Sequence, residues 1–201
     1  VLRADLASGL VSVRLIPDIE DLMDPAQIAP LFDAFLAERG LRLEAIATGG
    51  AALALLGIVH RETRDFDVIE PDLSEAVQEA AQAFAGMVRE QGIVLRDDWL
   101  NNGPSSLAPL LPEDWRSRLQ PLFAGKALNL WSLGRPELLL AKLWALCDRA
   151  MDLQDCVALA PTPDELREAT TWISAQDLNP HWPAHVQSTL EDLAQRLGHG
   201  L

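Results

Sequence analysis

The apolar positions Leu43, Ala45 and Ile46 lead into Thr48-Gly49-Gly50-Ala51-Ala52-Leu53-Ala54-Leu55-Leu56-Gly57, and His60-Arg61-Glu62-Thr63-Arg64-Asp65-Phe66-Asp67-Val68-Ile69 follows at once. This stretch predicts a strand over 43–47, a tight turn at the glycine pair, a helix over 51–57 and a second strand over 66–70. Paired glycines between a strand and a helix let the backbone turn sharply and present N–H groups to an anion, aided by the positive end of the helix. Strand alternation then puts Asp65 and Asp67 on one face while Phe66 and Val68 point into the core. Two carboxylates at that spacing can share a Mg²⁺ ion. Standing alone, such a pair is an ordinary solvated strand edge and such a glycine pair an ordinary turn; their order and distance make them one unit.

The chain around this unit reads as follows. Val11, Val13 and Leu15 alternate and suit a short strand or an arm. Asp24-Pro25 reads as N-cap and first residue of a helix with an apolar stripe at Ile28, Leu31, Phe32, Phe35 and Leu36, ended by Gly40. Ser74 to Glu90 forms a long amphipathic helix with Gly92 beyond it, followed by a strand near Ile93-Val94-Leu95. Residues 97–112 read as loop, 113–120 as a short helix, and Ala127–Leu133 as a strand that can pair beside the Asp-x-Asp strand. From Pro136 the pattern stays helical, over 136–147, 151–159, 163–174 and 183–197. The expected organisation is thus an α/β core over 1–134, a mixed sheet flanked by helices, and a helical half over 135–201 packed on it.

Glycine pair, short helix and Arg61-x-Thr63-x-Asp65-x-Asp67 together resemble the nucleotidyltransferase superfamily with its polymerase-β-like palm. More narrowly, they look like the small bacterial proteins related to abortive-infection and toxin–antitoxin nucleotidyltransferases. The resemblance implies that Gly49 and Gly50 hold triphosphate oxygens through their backbone, that Arg61 and Thr63 take part in nucleotide binding, and that Asp65 and Asp67 hold Mg²⁺. It also implies a third carboxylate on a later strand. Asn129, in the strand 127–133, stands where that acid is sought, and an amide cannot serve as general base. Further on, Lys142, Arg149 and Asp152-x-x-Asp155 resemble later motifs of the abortive-infection group; by that match Lys142 holds a phosphate and Asp152 is the later catalytic acid. Met151 stands where those relatives often have a basic residue. Asp148, Asp152 and Asp155 also fit one solvated helix face.

The implied activity is Mg²⁺-dependent transfer of a nucleotidyl group from an NTP to a hydroxyl on a protein, a small molecule or an RNA end. Sixteen basic against thirty acidic residues give a formal charge of −14, which argues against broad nucleic-acid binding and makes bulky RNA the less comfortable acceptor. The competing reading is a domain that has lost catalysis and works by binding, as a partner or antitoxin-like component of a defence module; a homo-oligomer fits either reading. No apolar run reaches membrane-spanning length, and Cys147 and Cys156 have no ligand spacing, so the expectation is a cytoplasmic protein. His181 and His185 are four apart, but Pro180 and Pro183 disturb a shared metal geometry. Trp99 with Asn101 and Asn102 is a candidate wall for a base, and Ser105-Ser106 lies in no nucleophile elbow.

Overall fold

The computed structural model describes residues 23–199; the expected strand or arm at Val11–Leu15 lies outside them. Five strands form one mixed sheet: β1 (Leu43–Thr48), β2 (Phe66–Glu70), β3 (Leu100–Asn101), β4 (Gln120–Ala124) and β5 (Leu128–Ser132), in the order β3-β2-β1-β5-β4. The pairs β1/β2 and β4/β5 are antiparallel, while β1/β5 and β2/β3 are parallel. Seven α-helices accompany the sheet among the described residues: α1 (Pro25–Glu38), α2 (Gly49–Leu55), α3 (Glu75–Glu90), α4 (Arg135–Arg149), α5 (Leu153–Leu159), α6 (Pro163–Ser174) and α7 (Trp182–Arg196). None of them is long and apolar enough to cross a membrane.

The helix ends follow from their caps. Asp24 accepts a hydrogen bond from the Ala26 N–H at 2.9 Å with Pro25 in the first turn, and Gly40 takes the left-handed conformation beyond the end of α1. Thr162 and Glu165 form a reciprocal capping box on α6. Phe32 of α1, Phe84 of α3 and Trp99 meet with ring centroids 5.0–5.7 Å apart, so the two helices and the sheet edge close on one aromatic cluster. A single buried core continues from there through Leu138 and Leu143 of α4 to Leu190 and Leu193 of α7.

Three expectations are corrected. The segment Ile93-Val94-Leu95 is not a strand: only Leu95 is buried there, and its carbonyl accepts from the Arg89 guanidinium at 2.7 Å instead of from a neighbouring strand. The strand that flanks β2 is the two-residue β3. The strand around residues 128–132 does not lie beside the Asp-x-Asp strand but on the other side of β1, paired with β4, whose first residue, Gln120, was expected to end the helix 113–120. Asp33 of α1 explains its seat: Oδ1 accepts from the N–H groups of Ala127 and Leu128, both at 2.8 Å, and draws the β4/β5 hairpin onto that helix.

Cys147 and Cys156 are free and buried, and burial pushes their thiols up to about 11 and about 12. Native protein is therefore expected to leave both unmodified by a thiol reagent at pH 8, with reaction appearing only on addition of denaturant. Rapid stoichiometric labelling without denaturant would contradict this packing.

Candidate active site

The glycine turn is shaped by its neighbours on two sides. Thr48, the last residue of β1, is in register with Asp67 of β2. Gly49 has φ +71°, and a Cβ on it would overlap the Asp67 carboxylate; a Cβ on Gly50 would stand 2.9 Å from the Thr63 hydroxyl. Only glycine lets the chain fold back this closely in that conformation. Thr48 gives α2 no side-chain cap, so the first N–H groups of the turn have no capping side chain.

Phe66 and Val68 are buried in the core, and Asp65 and Asp67 face the other way, partly exposed. The Asp67 carboxyl is pushed up to about 6, chiefly by burial and next by the charge of Asp65; a hydrogen bond from Asn101 and the Lys142 charge pull in the opposite direction. Asp65 is also raised, again first by burial. Burial thus holds two neighbouring carboxylates above their ordinary range against the opposing charges of Arg96 and Lys142.

The residue beside Asp67 on the next strand is Asn101, its register partner in β3, and not Asn129. Asn129 pairs instead with Glu44 and Ala124 at the opposite end of β1. Asn101 accepts from the Gly103 N–H at 2.7 Å while its amide donates to Asp67, so it holds Asp67 rather than adding a third charge. The expectation at Asn129 thus had the correct side-chain type on the wrong strand.

Opposite the turn stands the C-terminal half. Lys142 is buried on α4, and its ammonium lies 2.7 Å from Oδ2 of Asp155 and 3.2 Å from Oδ1 of Asp152. Asp152 precedes α5 in a left-handed conformation, φ +67°. Asp155 is only 1 % exposed, and Arg61 reaches it from the loop before β2: Nη2 is 2.9 Å from both carboxylate oxygens and Nε is 3.2 Å from Oδ1. Burial pushes the Asp155 carboxyl up, but the hydrogen bonds and charges of Lys142 and Arg61 together outweigh it and hold it below the usual range.

Gly49, Asp67, Lys142 and Asp152 line one cavity of about 380 Å³, a size typical of small-molecule sites. Gly50 and Asp65 are not among its lining residues, and each lies within two residues of one, Gly49 and Asp67. Arg61 and Thr63 do not line it: the guanidinium is committed to Asp155, and Thr63 is buried under Gly50, with its backbone paired to Met23 at 2.7 and 2.9 Å. Asp155 itself was visible in the sequence only as the second acid of Asp-x-x-Asp. Its place between two cations, one of them 94 residues away, depends on tertiary packing.

Other candidates have structural duties. Trp99 is buried and donates its indole N–H to the Ala81 carbonyl at 3.0 Å; Asn102 clamps its loop by donating to the carbonyls of Val68 and Pro71 and accepting from the Leu73 N–H. His185 Nε2 lies 2.8 Å from the Cys147 carbonyl, and no group of three His, Cys, Asp or Glu side chains among the described residues is arranged to hold a metal ion. The Asp65/Asp67 pair nevertheless suits Mg²⁺ that arrives with a nucleotide, because this ion commonly takes one or two protein carboxylates and fills its other positions with phosphate oxygens and water.

Residues 27–160, about two thirds of the chain, match the sequence model of a family described as nucleotidyltransferase of unknown function (DUF6036), and the chain belongs to that family. No curated protein and no solved structure matches the chain.

Proposed function

We propose that this nucleotidyltransferase moves a nucleotidyl group from an NTP to an acceptor hydroxyl, and that Asp65 and Asp67 are the residues that would hold Mg²⁺ for that reaction. The observation that supports this reading is the single cavity that has Gly49 and Asp67 on one wall and Lys142 and Asp152 on the other. Bound Mg²⁺ would neutralise the paired carboxylates and offset charge on the triphosphate oxygens.

The chain's own groups divide the remaining work. The Gly49-Gly50 backbone receives phosphate oxygens at closest approach, since no side chain stands between them and the ligand. Lys142, fixed by Asp155, offers a positive charge whose position does not depend on solvent. The acceptor oxygen attacks the α-phosphorus, the bond between that phosphorus and the bridging oxygen to the β-phosphate breaks, and pyrophosphate leaves. The acceptor's proton passes to Asp152, a cavity carboxylate outside the metal pair that lies beside the Lys142 ammonium.

A binding-only domain has Asn101 in its favour, as a neutral residue beside Asp67. The retained Asp65/Asp67 pair, the buried Lys142 and the family match weigh against it. The net charge favours a protein or small-molecule acceptor over a long RNA, and the two free cysteines suit a cytoplasmic setting.

Incubation with α-³²P- and γ-³²P-labelled NTPs and separate pools of protein, RNA and small-molecule acceptors tests the reaction type. Transfer of the α label alone is the expected result. Transfer of the γ label would replace nucleotidyl transfer by phosphoryl transfer.

A further inference from the structure

The cavity lining falls into two sets, the charged Asp67, Lys142, Asp148, Arg149 and Asp152 and the apolar Pro104, Leu107, Ala141, Trp144 and Ala145. A triphosphate uses only the first. We propose that the nucleobase of the bound NTP stacks on the Trp144 indole in the second, between α4 and the loop 103–107; this rests on the nucleotide reading above and assigns the subsite that reading leaves open.

The local sequence produces the platform. Ala141, Trp144 and Ala145 fall at i, i+3 and i+4 on α4, so one helix face carries a large flat side chain flanked by two methyl groups. The small neighbours leave a slot beside the ring that a bulkier pair would fill. Lys142 and Trp144 are two residues apart and so lie far apart around the helix, with Ala141 and Ala145 between them, so the cation and the indole stand at opposite edges of the helix surface that lines the cavity.

The indole is also held in position. Trp172 of α6 packs edge-on against Trp144, with centroids 5.8 Å apart and planes at 85°, and donates its own N–H to the Leu110 carbonyl at 3.3 Å. The ring therefore has a fixed orientation before any ligand arrives, so little is lost in ordering it. Trp144 is half-buried and lines the cavity, and among the described residues its N–H, like those of Trp115 and Trp131 and unlike those of Trp99, Trp172 and Trp182, meets no backbone carbonyl. On the opposite wall, Ser106 lines the cavity and supplies a hydroxyl beside the apolar surface. Stacking on an aromatic ring tolerates every base, since each has a π-face, and purines, with the larger face, gain most.

Calorimetric titration of each of the four NTPs, and separately of tripolyphosphate, into wild type, Trp144→Ala and Trp144→Phe in Mg²⁺ tests the assignment. Trp144→Ala is expected to weaken NTP binding by about tenfold or more while leaving tripolyphosphate unchanged, and Trp144→Phe to restore most of the loss. Equal NTP affinity in Trp144→Ala and wild type overturns the base subsite, as does an equal loss for NTP and tripolyphosphate in both variants. Wild type that binds tripolyphosphate but no NTP more tightly also overturns it, with the phosphate site intact. Wild type that binds neither ligand overturns the nucleotide reading itself.

Discussion

Asp67→Asn is expected to lower transfer by more than about 100-fold, because even outer-shell partners of a metal ligand commonly cost 10–100-fold and this residue is proposed to be a direct ligand. The same substitution is expected to stabilise the free protein at neutral pH by about 1–3 kcal/mol, since a carboxylate held up to about 6 by burial and by Asp65 opposes folding when it is ionised. The sign follows from proton uptake. Between the ordinary value of 3.8 and about 6 the native state binds the Asp67 proton more tightly than the unfolded chain does. This group's contribution to stability is therefore fully favourable below that window and is lost as pH rises through it. Thermal melts of wild type and Asp67→Asn across pH 4 to 8 should accordingly converge towards pH 4, separate progressively as pH rises to about 6, and keep a constant difference above it. An activity loss with no gain in neutral-pH stability would mean that the carboxylate is not under the strain its surroundings imply.

Asp155→Ala carries the other large effect, this time on the fold. Removing one partner of a buried charge network typically costs about 3–5 kcal/mol because the remaining charge has no compensation. Here the group that loses its nearer partner is the Lys142 ammonium, which sits almost wholly inside the protein and keeps, among the described residues, only the more exposed Asp152 at 3.2 Å. Arg61→Ala is expected to cost only about 1 kcal/mol, since its side chain is 47 % exposed and water can replace part of its contacts. Urea denaturation monitored by circular dichroism separates the two. Near-equal losses for Asp155→Ala and Arg61→Ala would show that Asp155 serves Arg61 and leaves Lys142 to another partner. Asp155 is thus a positioning residue: it holds Lys142 at the cavity without lining the cavity itself.

What could be read from the sequence was local. The glycine pair, the Asp65/Asp67 strand and the four C-terminal helices follow from periods and caps that lie within a few residues of one another. What was not legible depended on partners far along the chain. β4 contains Pro121 and lacks clean alternation, so only its hairpin with β5 and the Asp33 anchor make it a strand. β3 is two residues long, too short for any pattern, and so a third acid was sought at Asn129 while the residue beside Asp67 is Asn101. Arg61 is spaced as a nucleotide contact, but a buried carboxylate 94 residues later claims it. The Arg118–Glu137 contact is similar: Glu137 lies in the first turn of α4, where an acid complements the helix end, yet it is fully buried and gripped by the guanidinium at 2.6 and 2.9 Å.

The central claim is that Asp67, facing Lys142 across one cavity, and the neighbouring Asp65 receive a metal–nucleotide complex. Calorimetric titration of the four NTPs with and without Mg²⁺, into wild type and into the Asp65→Ala/Asp67→Ala double variant, tests it most directly. The account predicts binding to wild type that requires Mg²⁺ and is lost in the variant. Binding that persists in the variant, or the absence of NTP binding to wild type at millimolar concentration, would contradict it.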